Sequence, residues 1–309
     1  MLLSATTHVK VWGGRRLQTV LNKTLPQDAP YGESWELHDT AIISNGAWQG
    51  RTLGDALATL GADMIGTGND PADGLPLLAK FIDADDWLSV QVHPDDYQAD
   101  SLEGQPRGKT EAWIILDAAP SAELVIGVLP RTSRDTLTQA IHTNTLEPYL
   151  VRAAVSAGDV LFIPAGTIHA IGPGILLYEI QQSSDTTYRL YDWGRMGLDG
   201  QPRPLHIEKG LQVSRLDRLP QIIPHATTGD GLLVQSAYFN TQRHVLKGAP
   251  VVLNCGGHFH ALTCIQGAGR VNAGGLSVTF EAGQTVFMPA ALEDYILDGA
   301  GVVLRSWQP

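Results

Sequence analysis

Short runs of alternating or continuous apolar residues dominate this chain, and helical periodicity is confined to three places. Ala112–Leu116 and Leu124–Val128 read as strands. Leu77 to His93 reads as two strand-like runs separated by a turn at Asp83-Ala84-Asp85-Asp86. Residues 52–60 predict a helix, with Leu53, Leu57 and Leu60 on one face and Gly61 as the stop. Residues 133–150 predict a second, with Leu137 and Ile141 inward and Ser133 as N-cap. A third short helix falls near Ile207–Val213. Residues 151–192, and Gly231 to the end, return to strands and turns. Thirty-three glycines and eighteen prolines suit many short strands.

One pattern recurs. Ala157-Gly158-Asp159-Val160-Leu161-Phe162-Ile163-Pro164-Ala165 matches Ala282-Gly283-Gln284-Thr285-Val286-Phe287-Met288-Pro289-Ala290 at five of nine positions, at a constant offset of 125. A strand–turn–strand unit repeated at that scale predicts two related β-barrels. The first copy runs on to His169, where the second has Asp294. The second barrel is therefore expected to carry no metal site, with His258 and His260 as surface or core residues.

Three segments each offer a metal-type ligand at a strand end. In Gln91-Val92-His93-Pro94-Asp95, Gln91 and His93 are two apart and share a face. In Gly108-Lys109-Thr110-Glu111, Lys109 and Glu111 do the same. Pro164 and Gly166 shape a turn that delivers His169. Two imidazoles, a carboxylate and an amide oxygen suit an open catalytic Zn²⁺ site or a related divalent ion, one per chain. Further on, Glu179 and Gln181 alternate with Tyr178 and Ile180, a polar face that a barrel interior tolerates only if it is paired.

Charge and cysteine content narrow the classes. The net charge of −11 argues against a general nucleic-acid binder, while a locally basic pocket could still take an anionic small molecule. Cys255 and Cys264 form no CxxC pair and no disulfide framework, which fits a reducing compartment. Met1–Trp12 has no apolar signal region, and nowhere do about 18 apolar residues run together. A cytoplasmic protein without a membrane partner is expected.

These motifs, with Glu179-Ile180-Gln181-Gln182-Ser183-Ser184-Asp185-Thr186-Thr187-Tyr188-Arg189, Trp12-Gly13-Gly14 and Gly32-Glu33-Ser34-Trp35-Glu36, resemble the type I mannose-6-phosphate isomerases, in their short bacterial form. The resemblance is strong over about 9–215 and weak beyond. It implies a mainly β fold of two tandem cupin-type jelly-roll barrels with a few short helices. Residues 1–220 would form the catalytic cupin region with helical insertions, and 221–309 the C-terminal cupin-like barrel. By motif, Gln91, His93, Glu111 and His169 take the metal positions, Arg189 the catalytic arginine's and Lys109 the lysine's. Longer members carry a histidine before that lysine, where this chain has Gly108.

Such a reaction, on a small sugar phosphate, needs a base within reach of two carbons. Glu179 and Lys109 are the candidates, with Asp185 behind them; Lys109 beside a metal is expected to lose proton affinity. Arg15, Arg16, Lys80 and Arg195 are the candidate phosphate donors, with the Ser89 hydroxyl beside them; a surface role is the simpler reading for each, and Arg195 is the best placed because it continues the Arg189 segment. Trp12, Trp35 and Trp113 read as core. Two imidazoles and a carboxylate also describe an Fe(II) oxygenase site, and a sugar-binding cupin without catalysis is a third reading. Lys109, Glu179 and Arg189 together favour the isomerase.

Overall fold

The computed structural model describes residues 1–225 and 230–309. The molecule is mainly β, with 43% of residues in strands against 16% in helices. A seven-stranded antiparallel sheet runs Ile222–Ile223, Val160–Ile163, Glu111–Ala118, Ile175–Gln182, Leu77–Ala84, Thr6–Gly14 and Tyr31–Leu37, the last also pairing with Leu77–Ala84. A three-stranded sheet (Ala170–Ile171, Glu123–Val128, Leu150–Ala154) and the pair Val90–Val92 with Tyr188–Tyr191 complete the first β unit. The second unit is a nine-stranded sheet built mainly from residues after 230. Its edge also takes in the chain's first strand, Leu2–Ser4, which pairs with Thr285–Met288.

The seven-stranded sheet separates two apolar layers, because successive side chains leave a strand on opposite faces. Phe81, Ile114, Tyr178 and Ile180 point outward and pack against Phe239, Phe259, Phe287 and Leu304 of the second unit. Ile82, Trp113, Leu161, Ile163 and Leu177 point inward and meet Leu124, Ile126 and Ile171 of the small sheet. That inner face is interrupted by two polar rows. Trp35 opposes Lys80, Lys80 opposes Glu179, and Glu179 opposes Trp113. Directly opposed residues of antiparallel strands share a face, so these four side chains enter the interior together. One step along, Gln181 opposes Glu111, which opposes Ile163. The strand Ile175–Gln182 is therefore central and wholly buried.

The local predictions meet the structure unevenly. The first helix is Leu53–Leu60, closed by a Thr52–Asp55 capping box. The third spans Ile207–Val213. The second is shorter than 133–150: Ser133 caps it, Leu137 and Ile141 face inward, but it ends at His142. Asn144 turns into a left-handed conformation (φ 57°), and Pro148 sits in a 3₁₀ turn that leads into the strand Leu150–Ala154. The turn expected at 83–86 begins later, since Asp83 and Ala84 still belong to Leu77–Ala84. Arg16 holds that strand end, donating to Asp83 and to the Ala84 carbonyl. No helix among the described residues is long and apolar enough to cross a membrane.

Candidate metal centre and active site

Three segments converge at one end of the first unit. Val90–Val92 carries Gln91, with His93 just beyond it, and Gln91 forms an isolated bridge with His169, each amide donating to the other's carbonyl at 2.9 Å. Gly166 supports this arrangement: its φ of +86° makes the turn, and its amide donates to the His93 carbonyl. Glu111 comes from the facing strand, fully buried.

The donor atoms are gathered tightly. Nε2 of His93 and of His169 lie 3.6 and 3.3 Å from the Glu111 carboxylate, and one ligand atom from each of the three residues falls within a 4.8 Å group. Each imidazole's Nδ1 lies 2.9 Å from a backbone carbonyl, Thr186 for His93 and Thr167 for His169. These contacts place the ring proton on Nδ1 and leave both Nε2 lone pairs facing Glu111, the usual orientation of metal-bound imidazoles. The Gln91 amide is 3.3 Å from His169 Nε2 and accepts from Ser89 Oγ at 3.3 Å; a half-turn of the amide presents its oxygen to the same centre.

The electrostatics suit a divalent cation. Burial, then the neighbouring Lys109 charge, pushes His169 down to about 4 and His93 well below its ordinary value, so both rings are neutral at pH 7. Both Glu111 oxygens lack a hydrogen-bond partner. The Lys109 ammonium lies 2.6 Å from one of them, as an ion pair outside hydrogen-bond geometry. A buried carboxylate between two neutral imidazoles, all three turning ligand atoms to one point, fits a metal ion.

Comparison with known proteins agrees with this geometry. Residues 1–133 match the family described as phosphomannose isomerase type I, catalytic domain, and residues 231–308 the mannose-6-phosphate isomerase cupin domain. A mannose-6-phosphate isomerase of Streptococcus mutans is 34% identical, over 99% of this chain and 97% of its own. The Bacillus subtilis mannose-6-phosphate isomerase ManA is 35% identical over 94% and 93%. The chain belongs to the type I phosphomannose isomerase family. A solved Bacillus subtilis mannose 6-phosphate isomerase superimposes with a TM-score of 0.87 at 28% identity, covering 99% of this chain and 98% of that one. A putative mannosephosphate isomerase of Archaeoglobus fulgidus, 17% identical, shares the fold at a TM-score of 0.79 over 99% and 97%.

Around this family's metal centre the remaining sequence candidates fall into three groups. Lys109 and Glu179 are buried beside it. Lys109 Nζ is 3.1 Å from His93 Nε2. Burial lowers its proton affinity, but among the chain's own charges Glu111 and Glu179 outweigh that and raise it; the loss expected beside a bound metal concerns the loaded site. Glu179 accepts from Trp113 Nε1 at 2.9 Å and lies 3.5 Å from Lys80 Nζ. Burial and the Glu111 charge raise its pKa, against the opposing pull of Lys109, Lys80 and Trp113.

Arg189 stands directly opposite Gln91 in the two-stranded sheet, so the two share a face. It donates to the Pro204 carbonyl at 2.9 Å, and its buried Nε has no partner. Arg195 is engaged with Asp192 (3.0 Å) and Asp86 (3.3 Å). Arg203, absent from the sequence reading, also clasps Asp192, through Nε at 2.7 Å. Asp192 thus gathers guanidiniums beside Arg189, whose pKa is lowered by burial and then by Arg203.

Asp185 is exposed at the lip, in a cleft of ≈ 920 Å³ that also holds Thr186, Tyr188, His206 and Lys209. Its charge reaches both Lys109 and His8. Lys80 is the clearest departure from expectation: it is 4% exposed, not a surface residue, with its ammonium 5.0 Å over the Trp35 ring. Its place in an apolar run, Leu77-Leu78-Ala79-Lys80-Phe81-Ile82, was the available signal.

Proposed function

We propose that this chain interconverts mannose 6-phosphate and fructose 6-phosphate, with residues 1–220 as the catalytic unit and 221–309 as a barrel without a metal. The observation that carries this reading is the buried set His93, Glu111 and His169 beside Glu179 and Lys109, in a chain of this family. Gln91, His93, Glu111 and His169 would hold the ion, which we take to be Zn²⁺ from the mixed nitrogen and oxygen donors. A divalent ion there supplies Lewis acidity toward substrate oxygens.

The chain's own groups handle the protons. Glu179 takes the C2 proton of the aldose and returns it to C1. Its raised pKa suits a base that must also release the proton as an acid. Lys109, paired with Glu111, gives an ammonium proton to O1 and as the neutral amine then takes the O2 proton, returning to its starting form. Arg189 carries a permanent charge to the oxygen that becomes negative in the enediolate. Asp192 fixes Arg195 and Arg203 beside it, and with the Ser89 hydroxyl these form the phosphate site, Asp185 lying at its entrance. Lys80 sets the position and charge of Glu179. Two buried free thiols, Cys255 and Cys264, fit a cytoplasmic setting.

A coupled assay of purified protein with mannose 6-phosphate, before and after chelation, tests the reading. Fructose 6-phosphate formation should vanish with chelator and return with Zn²⁺. Metal-loaded protein without turnover would overturn it.

A further inference from the structure

The second β unit ends in a polar cluster that the isomerase reading leaves unused, and strand register identifies its counterpart. In the 125-residue repeat, Met288 stands for Ile163. Ile163 opposes Glu111, and Met288 opposes His260. Two residues on, Trp113 opposes Glu179, and Leu262 opposes Arg305. Glu179 in turn opposes Lys80, and Arg305 opposes Gln242. The second unit therefore presents the equivalent positions of the first with one charge reversed, Arg305 standing where Glu179 stands. Where one has Glu111, Glu179 and Lys80, the other has His260, Arg305 and Gln242. Two carboxylates and an ammonium have given way to an imidazole, a guanidinium and an amide.

The surroundings suit an anion. Arg305 stacks on the Trp307 ring at 4.5 Å and donates to Gln242 Oε1, and among the described residues it forms no ion pair. His260 lies 2.8 Å from the Tyr295 hydroxyl. Asn240 and His244, 7% and 6% exposed, each present a polar atom without a partner, Oδ1 and Nε2. Arg305 Nε and Gln308 Oε1 are likewise unmet. Buried polar atoms without partners are rare, and this set mixes donors with acceptors. An oxyanion answers the guanidinium, and hydroxyl groups answer the amide oxygens. A metal does not fit: His93, Glu111 and His169 are the one group of three close ligands among the described residues.

We propose that this end of the second unit binds a small hydroxylated oxyanion, a sugar phosphate or a sugar acid, through Arg305, Gln242, Asn240 and His244. The site is separate from the metal centre and does not depend on the isomerase assignment.

The test follows the ¹⁵N-indole signal of Trp307, assigned with Trp307→Phe, in metal-loaded full-length protein. Inorganic phosphate, gluconate and uncharged mannitol are titrated separately. Phosphate and gluconate should move the signal and mannitol should not. The anion midpoints should rise at least about tenfold in Arg305→Gln, and also in Gln242→Glu, which sets a carboxylate against the guanidinium without removing it. Tighter binding of phosphate selects the sugar phosphate; tighter binding of gluconate selects the sugar acid. A silent Trp307 signal, unchanged midpoints in folded variants, or an equal response to mannitol overturns the proposal.

Discussion

At the residue scale, the row Trp35–Lys80–Glu179–Trp113 decides how charge is held inside the first unit. Glu179→Gln keeps the Trp113 contact and removes the proposed base. Turnover should fall about 100- to 10,000-fold while bound metal stays constant, which steady-state kinetics alongside metal analysis would check. A fall in metal content of the same size would move Glu179 into the ligand set. Glu33 offers a separate test. Burial alone would raise its pKa, but Lys80, Lys10 and the Trp35 hydrogen bond overcome that and hold it at about 2, below an ordinary 4.5. A depressed carboxylate stabilises the fold above its unfolded pKa, and that stability is lost as pH falls from 4.5 toward 2. Glu33→Gln should therefore cost on the order of 2 kcal/mol at neutral pH and progressively less below pH 4.5. Urea midpoints at pH 6 and pH 3 would measure it, and a gap that stays constant would exclude the linkage. The segments that bring His93, Glu111 and His169 together were legible because each motif is local. Lys80 was not, since its burial comes from pairing with strands far away in sequence.

At the element scale, Gly108 joins the helix Asp96–Glu103 to the strand that carries Glu111. A Cβ there would lie 2.4 Å from the Asp95 carbonyl carbon and 2.5 Å from the Pro94 oxygen, both backbone atoms. The next amide, Lys109 N, donates to that same Pro94 oxygen at 2.9 Å. The longer relatives' histidine therefore has no room here as the backbone stands. Gly108→His should destabilise by about 1–3 kcal/mol and lower turnover through displaced Lys109, measured by thermal melting and kinetics. Unchanged stability would mean the loop yields freely. Elements whose signals are local were read well from sequence: the Leu53–Leu60 helix has its Thr52 cap and Gly61 stop, and Ile207–Val213 was placed correctly. The 133–150 helix was overread because its apolar spacing continues to Leu146, while the left-handed turn at Asn144 is a tertiary outcome.

At the scale of the whole molecule, the two units share one core. Phe81 and Tyr178 meet Phe239, Phe259 and Phe287 across the seam, and Tyr178 OH lies 3.3 Å from Ser306 Oγ. Leu2–Ser4 crosses to pair with Thr285–Met288, a long-range connection that no local pattern announces. The repeat foretold two related units but not that they would be welded by the chain's first strand. Such a seam should make unfolding cooperative, so that metal bound at one end stabilises the other. Cys255 and Cys264, both buried in the second unit, report on this directly. Chelation should speed their reaction with a thiol reagent in mild denaturant, and cysteine exposure should track loss of the metal centre at one midpoint. If instead the thiols react at the same rate with and without metal, the two units unfold independently. The seam would then be a docking surface, and the shared apolar layer would contribute little to coupling.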